Sequence, residues 1–131
     1  MNEIQKCSGQ GKYKEQLLQL SIEFKNCRTA FLAVGDETRQ QIIIALLQSD
    51  CHGIRVGDIT KRTNLSRPAV SHHIKILMDA EIIRMRREGT RNYYYIDYSI
   101  SELNKIEALF VHIRELLTDA PDRSNEDARN R

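Results

Sequence analysis

The chain has 131 residues, enough for one domain with a modest core, and its 40% hydrophobic content is that of an ordinary globular protein. Its longest apolar run, Ile42–Leu47, is far too short to span a bilayer, and the opening MNEIQK lacks the apolar stretch of a signal peptide, so a soluble cytosolic protein with no membrane partner is expected. The formal net charge is only +2, but from Ile54 to Tyr95 nine Lys/Arg face four acids, which makes that segment +5 and the remainder −3. Segregated positive charge of this kind steers a chain toward phosphate even when the total is small.

Three cysteines, Cys7, Cys27 and Cys51, are an odd number without a C-x-x-C spacing, which fits thiols in a reducing compartment better than a disulfide framework. Residues 1–11 are polar, carry Gly9 and Gly11, and are expected to be flexible. From Lys12 to about Val34 the pattern predicts one long helix. Leu17, Leu20, Phe24, Cys27, Phe31 and Val34 repeat at 3-4-3-4-3 spacing, with Leu18 and Ile22 widening the seam. Cys27 falls inside that seam and reads as a small buried hydrophobe.

Gly35-Asp36 separates this helix from the next, with Asp36 as N-cap and Glu37 set well against the helix dipole. The helix from Glu37 to about Ser49 carries Ile42–Leu47 and is expected to be core on more than one side. Cys51-His52-Gly53 reads as a loop, since two adjacent side chains make a poor metal site. Ile54-Arg55-Val56 is expected to form a short strand, and Asp58 to cap a small helix over Ile59–Thr63.

The stretch Thr60–Leu77, TKRTNLSRPAVSHHIKIL, then has the form of helix, turn, helix. Asn64 enters left-handed conformations cheaply, Ser66 is a good N-cap, and Pro68 suits a first helical turn. At 100° per residue, Val70, His73, Ile74 and Leu77 lie on one side of the second helix, and Pro68, Ser71, His72 and Lys75 on the other, with Arg67 at the N-terminal end. The first side can dock on a core. The second offers small, polar and cationic groups, as a helix in a DNA major groove requires.

Ile82–Asp97, IIRMRREGTRNYYYID, predicts a β-hairpin turning at Glu88-Gly89-Thr90. It carries Arg84, Arg86, Arg87 and Arg91, and alternation sends Tyr93 and Tyr95 to one face and Tyr94 to the other. A basic hairpin directly after a helix-turn-helix has the properties of a DNA-binding wing, its arginines lying along phosphates or in the minor groove. The last helix is expected to open at a capping box, Ser99-x-x-Glu102, and to run to about Thr118. Leu103, Ile106, Phe110, Ile113 and Leu117 again follow 3-4-3-4 spacing, with Leu109 and Leu116 alongside. Two such seams exceed the needs of one small core. Leu17, Leu20, Phe24 and Phe31 with Leu103, Ile106, Phe110, Ile113 and Leu117 are therefore expected to form a dimer interface. A two-fold dimer would place two recognition helices on successive turns of a palindromic duplex. Pro121–Arg131 is polar and without periodicity, so 119–131 is expected to be a disordered tail after a single 12–118 domain.

From Phe31 to Asp97 the chain resembles the ArsR/SmtB family of bacterial winged-helix repressors. FLAVGDETRQQIIIALL resembles that family's entry into its second helix, and LSRPAVSHHIKILMDAEIIRMRREGTRNYYYID its recognition helix and wing. Ser71-His72-His73, Leu77, Arg86-Arg87-Glu88-Gly89 and Tyr93-Tyr94 match in order. The resemblance implies a mostly α homodimer of order α-α-α-α-β-β-α that represses by occupying promoter DNA and is released by an effector. Carried over by position, base reading falls on Arg67, Ser71 and His72, with Ser66 at the same surface. Phosphate contacts fall on Lys75, Arg86, Arg87 and Arg91, the recognition helix spanning 67–78 and the wing 82–97. Many members sense metal through a Cys-x-Cys, but those positions are Arg55 and Gly57 here. Others use an Asp-x-His at the start of the last helix followed by His-x-x-His or His-x-x-Glu. His112-x-x-Glu115 matches the second half, whereas the first half falls on Ser99 and Ser101, poor zinc ligands. No metal or cofactor is therefore expected, and a thiol sensor using Cys7, Cys27 or Cys51 is the alternative effector reading. A winged-helix dimer acting as a protein-protein interaction module is the alternative function. With no Gly-rich phosphate loop, nucleophile elbow or carboxylate pair, an enzyme is not expected.

Overall fold

The computed structural model describes residues 3–118, with side chains from Gly11 onward. Its elements are α1 (Glu3–Asn26), α2 (Arg28–Val34), α3 (Glu37–Leu47), α4 (Val56–Thr63), α5 (Arg67–Asp79), β1 (Arg84–Glu88), β2 (Arg91–Tyr95) and α6 (Leu103–Thr118). This is a winged helix-turn-helix. The expected tail, 119–131, lies outside the described residues. Two compact units divide the chain: Lys25–Glu107, and the rest, in which α1 to Phe24 accompanies α6 from Ala108.

Within Lys25–Glu107, Ile42, Ile59, Val70, Ile74, Leu77, Ile82 and Ile83 form the centre of the core, each at most 3% exposed. They come from α3, α4, α5 and the segment leading into β1. Three local devices set the angles between these elements. Asp36 caps α3 by accepting a hydrogen bond from the Arg39 N–H at 2.9 Å. Asn64 ends α4 in the left-handed region at φ 58°, and Ser66 caps α5 by accepting from the Ala69 N–H at 3.2 Å. The hairpin pairs Arg84 with Tyr95 through Glu88 with Arg91, so its loop is Gly89-Thr90, with Gly89 at φ 61°.

Several expectations are corrected. The first helix begins at Glu3 instead of Lys12 and breaks at Cys27, where ψ is 1°. Beyond the break the core contact passes to Ala30 and Ala33, while Phe31 and Val34 are only half-buried and Leu32 is exposed. No Gly or Pro marks the break. In α3 only one side is core: Ile42, Ala45 and Leu46 are buried, whereas Ile44 and Leu47 are 51% and 67% exposed. Instead of a strand over 54–56, Ile54 makes a single antiparallel bridge to Tyr94, with N···O distances of 3.0 and 2.8 Å. The next helix starts at Val56, so Asp58 lies in its first turn and Arg55 occupies the N-cap position.

The capping box at Ser99 is not formed. Ser99 Oγ donates to Asp97 Oδ1 instead, and α6 begins at Leu103. Ser101, 4% exposed, accepts from the Leu103 N–H at 3.2 Å and donates to the Ile82 carbonyl at 2.7 Å, while the Glu102 N–H donates to the Glu81 carbonyl. These bonds to the 81–82 segment decide where the helix can start. Leu103 and Ile106, expected at a dimer interface, pack against this protomer's own core.

In the other unit Leu109 is 1% exposed, and His112 Nδ1 lies 2.7 Å from Glu23 Oε2, joining α6 to α1. Leu18, Ile22, Phe24, Phe110 and Leu117 are each about half exposed, between 46% and 56%, and Leu17, Leu20 and Ile113 are half-buried. Among the described residues no helix is long and apolar enough to cross a membrane.

Candidate nucleic-acid interface

The two sides of α5 are separated as its sequence implies. Val70, Ile74 and Leu77 are buried, and Arg67, Pro68, Ser71, His72 and Lys75 are all exposed. The buried side fixes the helix, so the exposed row is presented by a rigid element instead of a loop. Ser66 Oγ is engaged as the cap, which leaves its hydroxyl proton and one lone pair for another partner.

The two adjacent histidines differ. His72 is exposed. His73 is half-buried, and its Nδ1 lies 3.3 Å from Arg39 Nη1. An arginine can only donate, so in this contact Nδ1 stands on the accepting side. The two rings meet edge to face at 5.1 Å. The same Arg39 donates from Nε to the Ala33 carbonyl at 2.7 Å and from Nη2 to the Leu32 carbonyl at 3.1 Å. It thereby ties the end of α2 and the start of α3 to α5. Asp36, whose carboxyl is held below the usual range first by the Arg39 N–H, sits at the edge of this network.

The wing arginines are not equivalent. Arg86 is ion-paired with Glu88, donates to the His52 carbonyl at 2.7 Å, and lies 5.0 Å over the Tyr93 ring. Arg87 donates from Nε to the Gly89 carbonyl at 2.9 Å and so braces the turn. Both are partly committed to holding the wing. Arg84 and Arg91 are exposed, with no side-chain hydrogen bond or ion pair among the described residues. Gly53 completes the attachment. At φ +90° its Cα passes so close to β2 that a Cβ would lie 2.7 Å from the Tyr94 carbonyl oxygen.

Between the wing and α4 lies a cleft of about 380 Å³, lined by Arg55, Val56, Gly57, Asp58, Lys61, Arg67, Thr90, Asn92 and Tyr94. Of these only Arg67 was expected at the site. Arg55 and Lys61 belong to the basic segment, but linear order gives no sign that they face the hairpin. Cys27 is buried and Cys51 exposed, and neither is in a disulfide. Among the described residues no three or more His, Cys, Asp or Glu side chains are grouped to hold a metal ion.

Residues 36–84, from the α3 cap to the first residue of the wing, match the family model of bacterial regulatory proteins of the arsR family. The chain is 37% identical over 70 residues to the transcriptional repressor SdpR of Bacillus subtilis, covering 53% of this chain and 74% of that one. It is 34% identical over 85 residues to an uncharacterized HTH-type transcriptional regulator of Methanocaldococcus jannaschii, covering 64% and 93%. An arsenical resistance operon repressor of Staphylococcus aureus is 27% identical over 79 residues, covering 60% and 73%. In fold, the chain is similar to the crystal structure of an ArsR family transcriptional regulator, with a TM-score of 0.60 and 22% identity over 82% of this chain and 96% of that one.

Proposed function

This chain belongs to the ArsR family of bacterial regulatory proteins, and we propose that it is a homodimeric transcriptional repressor that binds a palindromic operator and is released by an effector. The observation that carries the reading is the division of α5. A buried row locks the helix, and the opposite row presents Arg67, Ser71, His72 and Lys75 to solvent. Helix residues 67–78 enter the major groove, where Arg67, Ser71 and His72 supply hydrogen-bond donors to base edges. Lys75 and Arg91 neutralise phosphates, and Arg86 and Arg87 use the N–H groups left over from bracing the wing.

Dimerisation rests on the exposed Leu18 and Ile22 of α1 and Leu117 of α6. Apolar side chains repeated along two helices are covered at least cost by a second copy. For the effector, exposed Cys51 offers a thiol to an oxidant.

Fluorescence anisotropy on a duplex from the region upstream of its own coding sequence tests the proposal. Binding should weaken steeply with salt, and the Arg67→Ala/His72→Ala double variant should lose preference for that duplex over a scrambled one. Absence of binding at low salt refutes it. A double variant that keeps its sequence preference would move base reading elsewhere.

A further inference from the structure

Of the residues given a DNA-contacting role so far, the cleft between the wing and α4 shares only Arg67. Three of its lining side chains are cationic, Arg55, Lys61 and Arg67, and one is acidic, Asp58. All four are exposed, and none of the three cations makes a side-chain hydrogen bond or ion pair among the described residues. Arg86 and Arg87, by contrast, are held by Glu88 and by the carbonyls of His52 and Gly89. Thr90 and Asn92, on the wing side, add short polar side chains. The Ile54–Tyr94 bridge ties β2 to the segment just before α4 and so sets the spacing between wing and helix.

We infer that this cleft seats a phosphodiester of the operator backbone, held by Arg55 and Lys61 beside the recognition helix. The inference rests on the reading of the chain as a DNA-binding repressor. The exposure of the cations, taken with counterion release from a duplex, favours a polyanion over a small free anion. The cations are exposed to solvent, where single charges on a small ligand are screened and bring little affinity. A duplex gains by releasing its condensed counterions at each neutralised phosphate, and that gain needs no burial. Arg67 also stands both in the cleft and at the leading end of the exposed α5 row. A strand whose bases meet α5 therefore has its backbone within reach of the same cleft. Arg55 and Lys61 set affinity and register here, and read no bases.

The test uses the full chain with Arg55→Ser, Lys61→Gln and Asp58→Asn, titrated against the upstream duplex at several salt concentrations. Arg55→Ser removes the cation while supplying a hydroxyl at the N-cap of α4, so lost affinity cannot be ascribed to a weakened helix. Each of the first two variants should lower the salt slope by about 0.9, equivalent to roughly eightfold weaker binding at 0.1 M salt, equally on matched and scrambled duplexes. Asp58→Asn should bind more tightly than wild type. Wild-type affinity and slope in all three variants, with the wild-type chain still binding in a salt-dependent way, would overturn the cleft assignment and leave the repressor reading standing. A change in sequence preference in either cation variant would also overturn it. If inorganic phosphate alone raises the wild-type melting temperature and Arg55→Ser abolishes that rise, the cleft is a free-anion site and the inference fails. If wild type binds no duplex, the repressor reading falls and this one with it.

Discussion

Replacing Arg39 with Ala should cost about 3 kcal/mol of stability, although the residue is charged and touches no predicted site. Its side chain is 14% exposed. It donates at 2.7 Å to the carbonyl of Ala33, a residue 3% exposed, and at 3.1 Å to that of Leu32, a residue 63% exposed. Hydrogen bonds from a charged donor contribute about 1.5–3 kcal/mol each. The Leu32 carbonyl can turn to water once Arg39 is gone, so losing that bond adds little and the total is set by the other. The Ala33 carbonyl is left without a partner, so the first bond counts in full. The contact to His73 at 3.3 Å and the 4.0 Å approach to Asp36 are long and add little. For a domain of this size, about 3 kcal/mol lowers the melting temperature by roughly 10 °C. Thermal unfolding at one fixed protein concentration reads this directly, because any self-association would make the transition concentration-dependent. Arg39→Lys keeps the charge but cannot fork between two carbonyls, and should recover less than half of the loss. Should Arg39→Ala melt within about 2 °C of wild type, the view that this guanidinium holds α2 and α3 against α5 is wrong.

Further outcomes follow from single features. Glu81 sits at φ 57°, where a side chain costs roughly 1–2 kcal/mol and glycine nothing. After the extra chain entropy of glycine, about 0.5–1 kcal/mol, Glu81→Gly should still raise the melting temperature by a few degrees, and a fall would show that the Glu81 side chain has an unseen role. The Glu23 carboxylate hydrogen-bonded to His112 holds that imidazole above its ordinary pKa, with Glu115 adding to the effect. A raised folded value means the pair's stabilisation is present below a pH of about 6.5 and is lost as pH climbs through the raised value. The melting-temperature gap between wild type and Glu23→Gln should therefore be wider at about pH 6 than at about pH 9, and equal gaps would count against the pair. The Ile22→Lys/Leu117→Lys double variant, which puts charge on the exposed apolar residues of α1 and α6, should sediment as a monomer at micromolar concentration if those residues are the dimer interface.

What could be read from sequence and what could not divides along the distance over which each feature is decided. Asn64, Ser66, Pro68 and the Gly89 turn are local instructions, and each stands where its neighbours alone place it. The α5 pattern is nearly as local, since three buried positions at helical spacing fix which row must face outward. The errors arise where a local signal competes with a distant partner. Ser99-x-x-Glu102 has the residues of a capping box, yet the bonds that Ser101 and Glu102 make to the Ile82 and Glu81 carbonyls pull the helix start forward to Leu103. Leu103 and Ile106 belong to the same apolar period as Phe110 and Leu117, and periodicity cannot say which members the protomer's own core will claim. The wing shows the division most clearly. Its two strands follow from alternation, but its position depends on Gly53 passing close enough to Tyr94 for Ile54 to pair with it, and on Arg86 reaching the His52 carbonyl. Both contacts join segments more than thirty residues apart. They create the cleft, and they bring Arg55 and Lys61 opposite Thr90 and Asn92. A count of charges along the chain finds those two cations. Only the closure of the hairpin onto the segment before α4 turns them into one wall of a binding surface.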